Sequence, residues 1–141
     1  MVKQRTRESK VQEFNEAMGL SVNGQPTCPT LELRRRLIME EAQEVCDVLQ
    51  EMEVCQTYGK DPTTQQWEHL LKELADLQYV LSGTLVSFAR TNRADFDAAF
   101  NRVHESNMSK LDDDGNPIRD SVTGKVMKGP NYKEANLGGL I

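Results

Sequence analysis

The sequence has no long apolar run, and this absence excludes a whole class of proteins. No stretch approaches the roughly 18 consecutive apolar residues that a membrane-spanning helix needs. The first residues, from Met1 to Arg5, are polar and charged and do not form the pattern of a signal peptide. We therefore expect a cytoplasmic protein that has no membrane partner.

Cysteine is also scarce, and acidic residues outnumber basic ones. The chain has three cysteines, Cys28, Cys46 and Cys55, and no Cys-x-x-Cys pair, which favours free thiols in a reducing compartment over a disulfide framework or a zinc site. The formal net charge of −5 argues against a nucleic-acid partner, because nucleic-acid-binding proteins usually present a basic face.

Helical periodicity dominates what the sequence does contain. Apolar residues recur three or four positions apart and predict α-helices over about residues 4–18, 31–57, 64–89 and 94–108. Gly19 is the expected stop of the first helix, and Thr30 is in position to cap the second. Val11, Phe14 and Met18 share one face of the first helix, and we expect this face to be directed inward. In the fourth helix, Phe96, Phe100 and Val103 are also expected to face inward.

The sequence changes character after Lys110 and becomes rich in turn residues. Residues 121–127 contain a Thr123-Gly124 turn and predict a small hairpin within an otherwise irregular tail. We predict an all-α fold in which the whole chain, residues 1–141, is a single domain. Its four-helix bundle covers about residues 4–108 and its tail covers residues 109–141.

Two acidic clusters lie within the predicted helices. One reads Glu40-Glu41-Ala42-Gln43-Glu44 and the other reads Glu73-Leu74-Ala75-Asp76. Because residues three positions apart share a helix face, each cluster directs two carboxylates the same way. If the two helices pack together, four carboxylates converge and repel one another unless a hard cation such as Mg²⁺ neutralises them. The spacing therefore predicts a Mg²⁺ site of the kind that serves phosphate chemistry.

A solvated helix face, a di-iron site and a calcium loop fit these acidic residues less well. A lone Glu-x-x-Glu pair is usually just solvated, but both clusters here are embedded among apolar residues. A di-iron bundle would need Glu three positions before each histidine, whereas Gln66 precedes His69 and Asn101 precedes His104. The run from Asp112 to Gly115 has the composition of a turn rather than of a calcium loop.

The acidic motif and its surroundings resemble the all-α nucleoside triphosphate pyrophosphohydrolases. That group includes the MazG-like proteins, the dimeric dUTPases and the phosphoribosyl-ATP pyrophosphohydrolases. The resemblance covers about residues 10–135. Besides the acids, it rests on Phe14-Asn15, Arg36-Leu37-Ile38, Lys72-Glu73-Leu74-Ala75-Asp76, Tyr79, Gly83, Val103-His104-x-x-Asn107-Met108-Ser109-Lys110 and Lys128-Gly129-Pro130-Asn131-Tyr132.

The resemblance implies hydrolysis of a nucleoside triphosphate to the monophosphate and pyrophosphate, by a homodimer or homotetramer. It implies a site with two or more Mg²⁺ ions, for which Mn²⁺ can substitute. The implied metal ligands are Glu41, Glu44, Glu73 and Asp76. The implied catalytic acids are Glu40 and Glu41, with Glu40 orienting the attacking water or binding a further ion. The expected substrate-binding residues are Asn15, Lys72, Tyr79, Asn107, Lys110 and Lys128.

The nucleobase is expected near the first helix. Asn15 can hydrogen-bond a base edge, with Phe14, Met18, Trp67 or Tyr79 packing nearby, although each apolar side chain is also explained by a place in the core. The favoured substrates are dUTP and dGTP, so that the enzyme controls or cleans the deoxynucleotide pool. Two alternatives stay open: hydrolysis of phosphoribosyl-ATP, and a non-catalytic helical dimerisation module with an acidic face for a basic partner.

Overall fold

The computed structural model describes residues 4–141, which form four α-helices joined by loops. The helices are α1 (Arg7–Ala17), α2 (Cys28–Thr57), α3 (Thr64–Ser87) and α4 (Arg93–Met108), with a short 3₁₀ turn at Ala89–Thr91. Across the described range there is no β-strand, only two isolated β-bridges, so the predicted all-α class is confirmed. None of the described helices combines the length and apolar character needed to cross a membrane.

Threonine side chains begin the first three helices. Thr6, Thr27 and Thr63 each accept a hydrogen bond from a backbone N–H of the first helical turn. The prediction that Thr30 caps α2 is wrong, because the helix begins earlier, at Cys28, and the Thr30 N–H donates to the Thr27 hydroxyl at 3.2 Å. Pro29 is compatible with this earlier start. Proline lacks a backbone N–H, and N–H groups in the first helical turn have no acceptor within the helix.

Glycine ends α1 as predicted. Gly19 follows the helix with φ +67°, a left-handed conformation that side chains with a Cβ rarely adopt. The loop after it is fixed to the carboxyl end of α3. The Asn23 N–H donates to the Val86 carbonyl at 2.9 Å, and the Ser21 hydroxyl donates to the Ser87 carbonyl at 2.8 Å.

The chain divides into two compact units, one ending at Asn92 and one running from Arg93 to Ile141. In the first unit α3 packs against both α1 and α2. The core cluster between α2 and α3 consists of Val45, Val48, Met52 and Leu70, with Leu77 packed against it. On α1, the buried residues are Val11 and Asn15, whereas Phe14 and Met18, expected inside, are exposed.

The second unit consists of α4 and an irregular segment. The prediction that Phe96, Phe100 and Val103 face inward is wrong for this unit, since α4 has no buried residue among those described. The segment after α4 is joined to the helix by hydrogen bonds to polar side chains. Arg102 Nη1, for example, donates to the Asn136 carbonyl at 2.8 Å. An antiparallel bridge between Arg119 and Val126 forms the predicted hairpin turn.

Candidate functional site

Three of the predicted carboxylates meet where α2 and α3 pack together. Oxygen atoms of Glu41, Glu73 and Asp76 all lie within 4.8 Å of one another. Glu73 is only 4% exposed, and the other two residues are half-buried. We call these three residues the carboxylate triad. The i, i+3 spacing places Glu73 and Asp76 on the side of α3 that faces α2, as predicted.

One oxygen of the triad has no partner. Glu41 Oε2 is buried and makes no hydrogen bond within the described structure. A buried carboxylate oxygen without a donor is costly, because burial removes the water that would otherwise solvate it. The residues therefore fit a hard divalent cation, which takes carboxylate oxygens as ligands.

Glu73 is the most strongly contacted member of the carboxylate triad. Its Oε1 atom lies 2.9 Å from His69 Nε2 and 3.2 Å from Lys72 Nζ. Burial by itself would raise the pKa of Glu73, but hydrogen bonds with Lys72, Glu44 and His69 outweigh it, so the pKa is lowered overall. Glu73 therefore stays ionised more readily than an ordinary glutamate.

Lys72 supplies the positive charge nearest the carboxylate triad. Its Nζ atom lies 2.8 Å from Asp76 Oδ2, and this hydrogen bond, with the one to Glu73, raises the pKa of Lys72 above its usual range. The sequence predicted Lys72 as a substrate-binding residue, and here its ammonium group contacts two of the predicted metal ligands. The carboxylates and this ammonium group thus form one electrostatic unit.

Glu44 lies beside the carboxylate triad on an exposed part of α2. A side-chain hydrogen bond with Glu73, some desolvation and the negative charges of Glu41 and Glu73 raise the pKa of Glu44. Glu44 and Glu73 therefore differ in how readily they hold a proton, although both are glutamates. Glu40 is exposed and does not belong to the carboxylate triad, so its catalytic role stays a prediction.

The residues predicted to bind the base converge only in part. Phe14, Asn15 and Tyr79 line one cavity of about 310 Å³, and the two aromatic rings meet edge to face at 5.5 Å. Asn15 Nδ2 donates to the Ser21 carbonyl at 3.1 Å. Met18 and Trp67 are exposed and are not among the residues that line this cavity.

The remaining predicted substrate ligands belong to the second unit. Asn107 is exposed on the last turn of α4, and Lys110 and Lys128 line a cavity of about 480 Å³. Lys128 Nζ lies 4.7 Å from the centre of the Tyr132 ring, which is a cation–π contact. Their roles toward a substrate stay predictions.

Sequence reasoning missed two residues of the first unit. His69 contacts Glu73, and the signal was the four-residue spacing of the two side chains on one helix. Arg34 is 6% exposed and lines the same cavity as Asn15 and Tyr79. Its spacing of seven residues from Glu41 on α2 was the available signal, since residues seven apart share a helix face.

A protein-family model matches most of the chain. The family model described as phosphoribosyl-ATP pyrophosphohydrolase matches residues 11–107. This range includes the carboxylate triad, Glu44 and nearly all of α4. No curated protein matches the chain.

Proposed function

Because the chain belongs to the phosphoribosyl-ATP pyrophosphohydrolase family, whose members are pyrophosphohydrolases, we propose that it hydrolyses deoxynucleoside triphosphates. In this reaction water attacks the phosphate chain and a P–O bond of the phosphoanhydride linkage between the α- and β-phosphates breaks. The products are the monophosphate and pyrophosphate. The favoured substrates are dGTP and dUTP. The proposed role is to control the deoxynucleotide pool.

The carboxylate triad is the single observation that carries this proposal. Glu41, Glu73 and Asp76 would hold a divalent cation, with Glu44 at the edge of the site. The buried Oε2 atom of Glu41 supports the assignment, because a cation would give it the partner that the described residues do not. When bound, Mg²⁺ or Mn²⁺ neutralises phosphate charge and makes a water molecule more acidic.

Two neighbouring side chains have complementary tasks in this proposal. Lys72 has a long side chain and already lies 2.8 Å from Asp76, so it is placed to donate a charge-assisted hydrogen bond to an incoming phosphate oxygen. Glu44 is exposed at the edge of the carboxylate triad and hydrogen-bonds Glu73, so its carboxylate is within reach of a water molecule at the site. We propose that Glu44 accepts the proton that the attacking water loses.

The family match itself favours a second candidate, hydrolysis of phosphoribosyl-ATP, whose scissile bond is of the same kind. The non-catalytic dimerisation module has less support. A face that binds a basic protein should present its carboxylates to solvent, whereas Glu73 is 4% exposed and one oxygen of Glu41 is buried.

A substrate panel distinguishes these functions. Purified protein with Mg²⁺, and separately with Mn²⁺, is incubated with each common deoxynucleoside triphosphate, with dUTP and with phosphoribosyl-ATP, and the products are separated. We expect monophosphate and pyrophosphate from one or a few deoxynucleotides. Turnover of phosphoribosyl-ATP alone would replace the proposed substrate, and no turnover by folded protein would contradict the reaction.

A further inference from the structure

Arg34 is a buried cation that forms no salt bridge with the residues the structure describes. It is 6% exposed, and its Nε atom makes no hydrogen bond in the described part of the chain. Burial lowers the pKa of Arg34, and it is the one cause that the described residues supply. Burying a charge without a partner is costly. The buried Arg34 guanidinium therefore indicates that a bound ligand supplies a hydrogen-bond acceptor.

The cavity beside Arg34 has the composition of a ligand site. Its volume of about 310 Å³ lies at the small end of the range for small-molecule pockets. Leu37 and Val80 contribute apolar walls, and Tyr79 and Phe14 contribute aromatic ones. A flat apolar ring with a few hydrogen-bonding atoms at one edge matches this lining.

The cavity and the carboxylate triad lie about two helical turns apart along both α2 and α3. Arg34 precedes Glu41 by seven residues on α2, and Gly83 follows Asp76 by seven residues on α3. Seven residues of α-helix rise about 10 Å, and both intervals end at the same cavity. A molecule with its phosphates at the carboxylate triad would therefore place its base at Arg34.

We propose that Arg34 selects a nucleobase with a keto oxygen, and that guanine is its best partner. The inference rests on the proposed nucleotide substrate. Guanine presents two adjacent acceptors, O6 and N7, that match the donor fork of a guanidinium. Adenine has an amino group in place of O6 and would direct a donor at the buried cation.

Binding of monophosphate products tests this selection without hydrolysis. Affinities of dGMP, dIMP and dAMP are measured by isothermal titration calorimetry for the unchanged protein, for Arg34→Met and for Arg35→Met. Arg35 is exposed on the same turn of α2 and serves as the matched control. dIMP keeps O6 and N7 but lacks the 2-amino group of guanine, so it isolates the edge that Arg34 would contact.

The unchanged protein and Arg35→Met should bind dGMP and dIMP on the order of tenfold more tightly than dAMP, and Arg34→Met should lose this preference. Gly83→Ala provides a second variant, because a Cβ there would collide with the Arg34 guanidinium and displace it while keeping its charge. It should also reduce the preference. Gly83→Ala therefore keeps the test decisive if Arg34→Met fails to fold.

Equal binding of dGMP and dAMP by the unchanged protein would overturn the inference, as would a purine preference that survives in both variants. Binding of ribose 5-phosphate that depends on Arg34 but shows no base preference would also overturn it. These outcomes are distinct from failure of the proposed function. A protein that prefers dGMP through Arg34 but hydrolyses no triphosphate would retain the base site and lose the proposed reaction.

Discussion

Glu41 and Glu73 are the same residue type in different surroundings, and the difference defines the site. Glu73 has three hydrogen-bonding neighbours, His69, Lys72 and Glu44. Glu41 has a buried oxygen with no partner in the described structure. The described residues therefore neutralise the carboxylate triad only in part, which leaves negative charge for an added cation.

Asp76→Asn tests the metal site at the level of one residue. The change keeps the side-chain shape and removes one charge, so the fold should remain while Mn²⁺ affinity falls by at least roughly tenfold. Calorimetric titration with Mn²⁺ measures the affinity, and circular dichroism checks the fold. Glu51→Gln, an exposed change on α2, is the matched control and should bind Mn²⁺ like the unchanged protein. Equal Mn²⁺ binding by Asp76→Asn would show that Asp76 is not a ligand.

Helix α2 carries Arg34, Glu41 and Glu44 in register, so its amino-terminal boundary matters to the site. The helix begins at Cys28 with the Thr27 hydroxyl accepting from the Thr30 N–H. The Thr30 hydroxyl contacts the Thr27 hydroxyl at 2.7 Å but does not cap the helix. The two threonines therefore offer a matched pair.

Thr27→Ala should lower the free energy of unfolding by about 1 kcal/mol, the usual effect of removing an N-cap. Thr30→Ala should lower it by less, because the backbone N–H of residue 30 loses its acceptor only when Thr27 is replaced. Urea denaturation of both variants measures the difference. A larger loss in Thr30→Ala than in Thr27→Ala would contradict the observed boundary.

Local patterns predicted the elements better than their orientations. Periodicity and glycine placed the four helices, because both signals depend on nearby residues. On α1, however, Asn15 is buried and Met18 is exposed, and this rotation depends on how α3 packs against the helix. The acidic spacing predicted the carboxylate triad for the same local reason. Arg34 was not predicted, since its burial requires the space beside Gly83 on a different helix.

At the scale of the whole molecule, the first unit exposes several large apolar side chains. Leu71, Leu74 and Leu81 on α3 are 69%, 43% and 41% exposed in the single chain. Exposed apolar patches of this kind are often covered by another copy of the chain. We therefore propose a homodimer or homotetramer.

Light scattering after size exclusion measures this assembly directly. A chain of 16.0 kDa should elute as a species of two or four times that mass at micromolar concentration. Replacing Leu74 by Glu is expected to shift the population toward smaller species if this part of α3 lies at the interface. A single 16.0 kDa species at all concentrations would contradict the proposed assembly.

The most direct test of the proposed hydrolysis is a ³¹P NMR time course of the protein with Mg²⁺ and dGTP or dUTP in separate samples. We predict that the triphosphate signals of at least one substrate give way to monophosphate and pyrophosphate in equal amounts, and that Asp76→Asn leaves them unchanged. Formation of diphosphate and inorganic phosphate would contradict the proposed reaction, and hydrolysis that persists in Asp76→Asn would contradict its assignment to the carboxylate triad.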